Sequence, residues 1–307
     1  MPIKVSPVSP DLISRRVILS RMGTALVALP VIPVLGCSSS SSTASNDGAS
    51  SGTDAARSAS DGGTLATDGG LVPAGFAVGS GAFLSGKDYG NPFTSGLGST
   101  CIAYTAATQG PCHSNTYYRK DISDGLVGLP TRLELLVVDT SCNPVSNAIV
   151  EVWYASPAGT YSEAAQAIDA GTAYSGSLSD LNVGFCTGNN SDALASNWLR
   201  GYQYSGSDGR VTIDSIFPGW YASRTTHVHF IVTANGKTYV TSQLLLDESL
   251  TTAVYTQHPS YKARGNKDTT NANDMVAKGF SSLSSAIMSF SQQSDGAIVV
   301  WKAITIG

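Results

Sequence analysis

The chain has 307 residues, a formal net charge of −4, only 13% charged residues, and 32 glycines. The small negative charge and the absence of a clustered basic segment argue against a nucleic-acid-binding protein. Sparse charge with plentiful glycine and serine is typical of an all-β protein outside the cytosol rather than of a helical bundle.

The N-terminal residues read as an export signal. Arg15-Arg16 lies in a segment that resembles a twin-arginine signal. The apolar run over residues 22–35 is shorter than the about 20 residues that span a bilayer, and it leads into Gly36-Cys37, which resembles a lipobox. We therefore predict a lipoprotein signal peptide over residues 1–37 and a lipid anchor at Cys37, which would hold the protein at the cell envelope, on the periplasmic side or at the cell surface. A signal peptide without lipid attachment is the alternative.

Two further segments follow in the predicted organisation. Residues 38–70 are Ser, Thr, Ala, Gly and Asp with almost no large apolar side chain, so they predict a flexible tether. Residues 71–307 are predicted to form the folded domain. That domain contains four cysteines, Cys101, Cys112, Cys142 and Cys186. An even number in an exported chain predicts two disulfides, with three pairings open and buried free thiols as the alternative.

The domain is dominated by strand-like segments. Apolar or alternating runs separated by turn sequences cover residues 132–139, 148–154, 210–217, 227–232, 237–246 and 297–306. Residues 162–197 read as one long irregular excursion, and residues 272–288 as the one helix-like segment. The pattern predicts an all-β fold, an antiparallel β-sandwich with long loops and little helix.

Two of only four histidines stand one residue apart. His227 and His229 lie in a predicted strand, so their imidazoles point to the same face, while Val228 and Phe230 point to the other. Tyr221 precedes them after a Pro-Gly turn and can supply a phenolate. The arrangement predicts half of a metal site; two ordinary strand histidines are the alternative.

Several motifs in one order resemble the intradiol ring-cleavage dioxygenases, the catechol and protocatechuate type. They include Gln109-Gly110-Pro111, Arg119-Lys120-Asp121-Ile122, Gly159-Thr160-Tyr161-Ser162, Leu199-Arg200-Gly201-Tyr202-Gln203, Pro218-Gly219-Trp220-Tyr221 with Arg224 and His227-Val228-His229, and Thr241-Ser242-Gln243-Leu244. The resemblance covers residues 108–273. The short spacing between Tyr221 and His227 is similar to that of exported members of the family.

The resemblance implies a site for non-haem Fe(III) and an activity. Tyr161 and His227 would be equatorial ligands, and Tyr221 and His229 axial ones. A catecholic substrate and O2 would react to give a muconate-type diacid, with Tyr221 displaced to act as base. Arg224 would lie beside the substrate and stabilise negative charge, and Gln243 would line the pocket. Phenolates favour Fe(III), and no carboxylate accompanies the histidine pair as it does in Fe(II) oxygenases.

The motifs do not determine the ring substituents of the substrate, the bound metal or the oligomeric state. The family usually has Glu-Gly-Pro followed by aromatic residues, whereas this chain has Gln109-Gly110-Pro111-Cys112-His113, so the ring substituents of the substrate are undetermined. A β-sandwich binding module without turnover, or the same site with another metal, are the alternatives. The oligomeric state is open, a homo-oligomer included. Histidines 113 and 258 are interpreted as surface residues or as neighbours of the ligands.

The hairpin after the histidines tests the role of Gln243. A two-residue loop at Asn235-Gly236 would place Gln243 opposite Val228, on the wrong face. A three-residue loop with a left-handed Gly236 would pair Thr233 with Lys237 and place Gln243 opposite His227. We predict the three-residue loop.

Overall fold

The computed structural model describes residues 75–97, 101–162 and 183–307. The predicted signal peptide and tether, including Cys37, lie outside the described residues and stay predictions, as does most of the predicted excursion. Within the described residues, no helix is long and apolar enough to cross a membrane.

In the part of the chain that the structure describes, eight strands form two four-stranded sheets, as predicted for a β-sandwich. The strands are β1 (Pro130–Asp139), β2 (Ile149–Trp153), β3 (Arg200–Tyr204), β4 (Arg210–Ile216), β5 (His227–Ala234), β6 (Lys237–Leu245), β7 (Ser289–Gln292) and β8 (Ile298–Ile306). One sheet has the order β4-β1-β8-β7 and the other the order β3-β2-β5-β6. All pairs are antiparallel except β1 with β8, which run parallel.

The core lies between the sheets because one face of each strand is apolar. Leu133 and Leu135 of β1 and Val228 and Phe230 of β5 are buried in one cluster. The alternation of β5 then turns His227 and His229 to the opposite face, away from the core. The site is therefore built on the outer face of one sheet and covered by loops.

The described residues contain four short or moderate helices: α1 (Val183–Thr187), α2 (Ser191–Ala195), α3 (Glu248–Gln257) and α4 (Leu283–Ala286). The predicted helix over residues 272–288 is wrong. That segment holds only the 3-10 turn Ala277–Gly279 and α4; the Asp274 carboxylate accepts the N–H groups of Val276 and Ala277 where the 3-10 turn begins. Residues 183–197, predicted to be irregular, contain α1 and α2.

The hairpin loop differs from the prediction, but Gln243 keeps the predicted face. Ala234 pairs with Lys237 across a two-residue turn in which Asn235 and Gly236 both have positive φ, as in a type I′ turn. The register then shifts between Val232 and Thr233, with Tyr239 as the extra residue. Gln243 is consequently opposite His229 rather than His227.

Two disulfides connect the four cysteines of the domain. Cys101 pairs with Cys142, and Cys112 pairs with Cys186. The second links the loop after Gly110 to α1, next to the outer face that carries the histidines.

Candidate metal centre

Four polar side chains converge on the outer face of β5. The Nε2 atoms of His227 and His229 are 3.1 Å apart. The Tyr161 hydroxyl lies 3.4 Å from the first and 3.2 Å from the second, and the Tyr221 hydroxyl lies 3.3 Å from the Nε2 of His227. The four residues come from β5 and two separate loops, so the fold brings together the side chains that the sequence singled out.

The histidine nearest the loop has a defined tautomer. Nδ1 of His227 donates to the Thr225 carbonyl oxygen over 2.6 Å, so Nε2 carries the lone pair and faces the two tyrosines. Burial, assisted by the nearby Arg224 guanidinium, lowers the pKa of His227 to about 3. The imidazole is therefore neutral and available as a ligand at physiological pH.

The second histidine is held by packing. The His229 ring stacks on Trp153 with 4.9 Å between centroids, and Trp153 in turn meets His113 edge-on. Gly110 has a φ of +76°, and a Cβ there would lie 3.0 Å from the His229 ring, so both the backbone and the close approach favour glycine. Burial lowers the pKa of His229, and its Nδ1 has no hydrogen-bond partner among the described residues.

Of the two tyrosines, Tyr161 is more deeply buried than Tyr221. Tyr161 is buried and its N–H donates to the Cys186 carbonyl over 2.7 Å, which ties it to α1. Tyr221 is partly exposed and also lies 3.4 Å from Nη1 of Arg224. Burial raises the pKa of both phenols, and Arg224 opposes the increase. A metal cation that replaced the phenolic protons would stabilise the phenolate forms that burial disfavours.

The donor set fits a ferric ion. Within the described part of the chain, no group of three or more His, Cys, Asp and Glu side chains is placed to hold a metal. The converging set contains only two of those residues, and its remaining donors are phenols. The two Nε2 atoms and the two phenol oxygens each lie within 3.1–3.4 Å of a neighbouring donor atom, an arrangement suited to a shared cation.

Arg224 is held by hydrogen bonds to Asp274, Gln243 and Tyr221. Its Nε donates to Asp274 over 2.8 Å, and its Nη2 to Gln243 Oε1 over 2.5 Å. The Gln243 amide donates on to the Thr108 carbonyl over 3.1 Å.

The Asp274 side chain is wholly buried; burial raises the pKa of its carboxyl, but the Arg224 guanidinium and the backbone N–H groups of Ala277 and Thr225 together lower that pKa overall. Sequence reasoning missed Asp274, which is 50 residues from Arg224 and lies in the segment predicted to be helical.

The two remaining histidines have different positions. Nε2 of His113 lies within hydrogen-bond distance of Glu151 Oε1, at 2.6 Å, and the ring borders the site through Trp153. His258 is completely buried, with Nε2 donating to the Ala77 carbonyl and Nδ1 accepting from the Ser260 N–H. It is neither a surface residue nor a neighbour of the ligands, and its role is structural.

Comparison with known proteins gives the family. A family model described as Dioxygenase matches residues 103–273, more than half of the chain. The chain belongs to the intradiol ring-cleavage dioxygenase family. No curated protein matched it.

Solved structures agree in fold. An intradiol ring-cleavage dioxygenase from Tetranychus urticae is similar at 23% identity with a TM-score of 0.55, over 67% of this chain and 95% of that one. A hydroxyquinol 1,2-dioxygenase from Pseudomonas putida DLL-E4 is similar at 14% identity with a TM-score of 0.44, over 66% of each chain. At such identities the first likeness supports the shared β-sandwich, and the second is too distant to carry an argument.

Proposed function

We propose that the protein is an Fe(III)-dependent dioxygenase that cleaves a catecholic ring between its two hydroxylated carbons. One C–C bond breaks and both atoms of O2 enter the product, a muconate-type diacid. The observation that carries the proposal is the convergence of two buried imidazole nitrogens and two phenol oxygens within 3.1–3.4 Å of their neighbours.

The residues that would hold the iron are Tyr161, Tyr221, His227 and His229. Phenolate oxygens and neutral imidazoles suit a ferric ion, and the Thr225 carbonyl keeps His227 in the required tautomer. When bound, the ferric ion supplies a Lewis acid that withdraws electron density from the deprotonated diol.

The base in this proposal is Tyr221. Of the two phenols it is the more exposed, and it lines the cavity in which a diol would enter. A substrate hydroxyl would transfer its proton to Tyr221 Oη, which lies within hydrogen-bond reach of Nη1 of Arg224. Tyr161 is buried, so in this proposal it remains a metal ligand while the diol is bound.

The cation beside the reacting ring would be Arg224. It is preorganised by Asp274 and Gln243, so its charge needs no reorientation when negative charge develops on the substrate. Gln243 accepts a hydrogen bond from Arg224, so its proposed effect on the pocket is to hold that guanidinium in position.

The test is the visible spectrum of the full-length protein with its iron content measured alongside. We expect a tyrosinate-to-iron absorption band that shifts when catechol is added without oxygen, and ring cleavage when oxygen is admitted. His227→Ala should remove the band, whereas His258→Gln should retain it and controls for loss of a histidine. A protein that stays colourless after reconstitution with ferric iron would favour the non-catalytic binding module.

We also propose export and lipid attachment at Cys37. Support comes from the order of Arg15-Arg16, apolar run and Gly36-Cys37 in the sequence and from two disulfides, which persist in oxidising compartments. Cys37→Ser should release the protein from the membrane fraction and stop incorporation of a fatty-acid label. Equal membrane association of both proteins would contradict the anchor.

A further inference from the structure

A disulfide borders the candidate metal centre. Cys112 and Cys186, 74 residues apart in the chain, are bonded to each other and belong to the buried cluster that contains Tyr161 and Trp153. Both cysteines also line a cavity of about 210 Å³, together with Tyr161 and Tyr221. The disulfide is therefore packed among the residues that surround the four candidate ligands.

One end of the disulfide is attached to the segment that packs on His229. Gly110, two residues before Cys112, approaches the His229 ring so closely that an added Cβ would lie 3.0 Å from it. The beginning of this segment is held by the Gln243 amide, which donates to the Thr108 carbonyl over 3.1 Å. Cys112 holds its other end, so the disulfide fixes the segment on the far side of the contact with His229.

The other end of the disulfide is attached to the backbone of Tyr161. Cys186 lies in α1, and its carbonyl oxygen accepts the Tyr161 N–H over 2.7 Å. Two of the four candidate ligands, Tyr161 in a loop and His229 on β5, are therefore supported by segments that one covalent bond joins. Groups that orient metal ligands in this way reduce the rearrangement that metal binding requires.

We propose that the disulfide between Cys112 and Cys186 is a positioning element that holds Tyr161 and His229 in place for the metal, so that iron binds tightly only when this bond is formed. The proposal rests on the proposed function, since it assumes that these two side chains are iron ligands. A dithiol would open the bond by thiol–disulfide exchange: the S–S bond breaks, the two cysteines take up two electrons and two protons from the dithiol, and the dithiol closes into its own disulfide.

The second disulfide provides a matched control. Cys101 and Cys142 are 41 residues apart and pack in a separate cluster with Leu136 and Val138 of β1, on the other sheet. Because the entropy of loop closure depends only weakly on loop length, removal of either disulfide should lower the midpoint of urea unfolding by a similar amount. Only removal of the first disulfide should change the metal centre.

The experiment uses the full-length protein loaded with ferric iron. It measures the iron dissociation constant by competition with a chelator and records the position of the visible band. Cys112→Ala combined with Cys186→Ala should weaken iron binding about 10–100-fold, the range for groups that orient metal ligands, and should shift the band. Cys101→Ala combined with Cys142→Ala should keep the wild-type affinity and band. Equal affinity and an identical band in all three proteins would overturn the proposal while leaving the proposed function intact.

Reduction tests the same bond without substituting either of its cysteines. The iron-free protein that carries Cys101→Ala and Cys142→Ala keeps only the disulfide beside the metal centre. It is treated with dithiothreitol, separated from the reductant and loaded with ferric iron without oxygen. Iron affinity should fall as in the first variant and should recover when the thiols are reoxidised before loading. A reduced protein that binds iron as tightly as the oxidised one would contradict the positioning role.

A measurement on the iron-free protein distinguishes failure of this inference from failure of the proposed function. The chain has only four histidines, so their ring signals can be assigned by NMR in isotope-labelled protein. Loss of the disulfide should shift the ring signals of His229 and leave those of His258, which lies outside the metal centre, unchanged. Unchanged His229 signals in a protein that binds iron would overturn this inference alone. A wild-type protein that binds no ferric iron would overturn the proposed function and this inference with it.

Discussion

The two sheets each carry a cluster of buried polar side chains on the outer face, and the clusters differ in how their polar atoms are satisfied. On the β4-β1 sheet, Arg132 binds Asp214 at 2.6 Å and donates to two backbone carbonyls, and Glu134 accepts from Arg210 and Thr212. Charges there are paired and their hydrogen-bonding groups are largely occupied.

On the sheet that contains β5, the clustered polar groups are uncharged and their hydrogen bonding is incomplete. The two imidazoles and two phenols of the candidate metal centre are neutral, point at one another, and leave Nδ1 of His229 without a partner among the described residues. A cluster that is complete on its own supports the fold, whereas one whose lone pairs converge on a common point is suited to bind a cation. The following substitutions test this difference.

The largest effect on function is expected from Tyr161→Phe. Removing this hydroxyl takes away one of the four donors, so iron content, the visible band and ring cleavage should all be lost. The free energy of unfolding of the iron-free protein should change by no more than about 1 kcal/mol, because the partners of the hydroxyl are other polar groups of the site, the two imidazoles at 3.2–3.4 Å and the Tyr221 hydroxyl. A variant that retains iron and turnover would remove Tyr161 from the ligand set.

The largest effect on stability is expected from Arg132→Met on the other sheet. It leaves the buried Asp214 carboxylate with only the exposed Lys120 at 3.4 Å, and breaking a buried pair costs about 3–5 kcal/mol. Urea unfolding would measure the loss, while the visible band of the iron-loaded protein should stay in place. Adding Asp214→Leu should recover much of the stability; failure of both variants to change it would contradict the assignment of this cluster to the fold.

A smaller effect on catalysis is expected from Asp274→Asn. The amide cannot hold the Arg224 guanidinium with a full charge, so kcat/KM should fall about 10–100-fold, the range for residues that orient a reacting group. The band before substrate addition should be unchanged, since Asp274 contacts none of the four ligands. Asp268→Asn, a nearby carboxylate that accepts from Ser223, is the control and should keep full activity. A shifted band in Asp274→Asn would indicate general disruption instead of positioning.

Local sequence patterns predicted much of this fold. Strands β1, β2, β4, β5, β6 and β8 follow from apolar runs and turn residues, and the shared face of His227 and His229 follows from strand periodicity. Helix α3 was missed although Asp247 is a suitable N-cap and Leu250, Ala253 and Val254 have helical spacing. Three of its ten residues are threonines, whose low helix propensity weakens the local signal.

Long-range packing explains what the sequence could not predict. The extra residue Tyr239 in β6, which restores the face of Gln243, depends on how the whole strand packs and has no local signal. The pairing of Asp274 with Arg224 joins segments 50 residues apart in the chain, and no local pattern predicts it. The pairing of Cys112 with Cys186 is likewise set by tertiary structure.

The smallest effect concerns His258, which lies apart from both clusters. Burial lowers its pKa, although the hydrogen bond to the Ala77 carbonyl acts in the opposite direction. The unfolded chain, with a histidine pKa of about 6.5, then binds a proton that the native state excludes, so stability is lost as the pH falls below that value toward the folded pKa. Gln can replace both hydrogen bonds without titrating, so His258→Gln should lose less stability than the wild type between neutral and mildly acidic pH. Urea unfolding of the two proteins at both pH values would show this, and equal losses would mean that His258 does not contribute to the acid sensitivity.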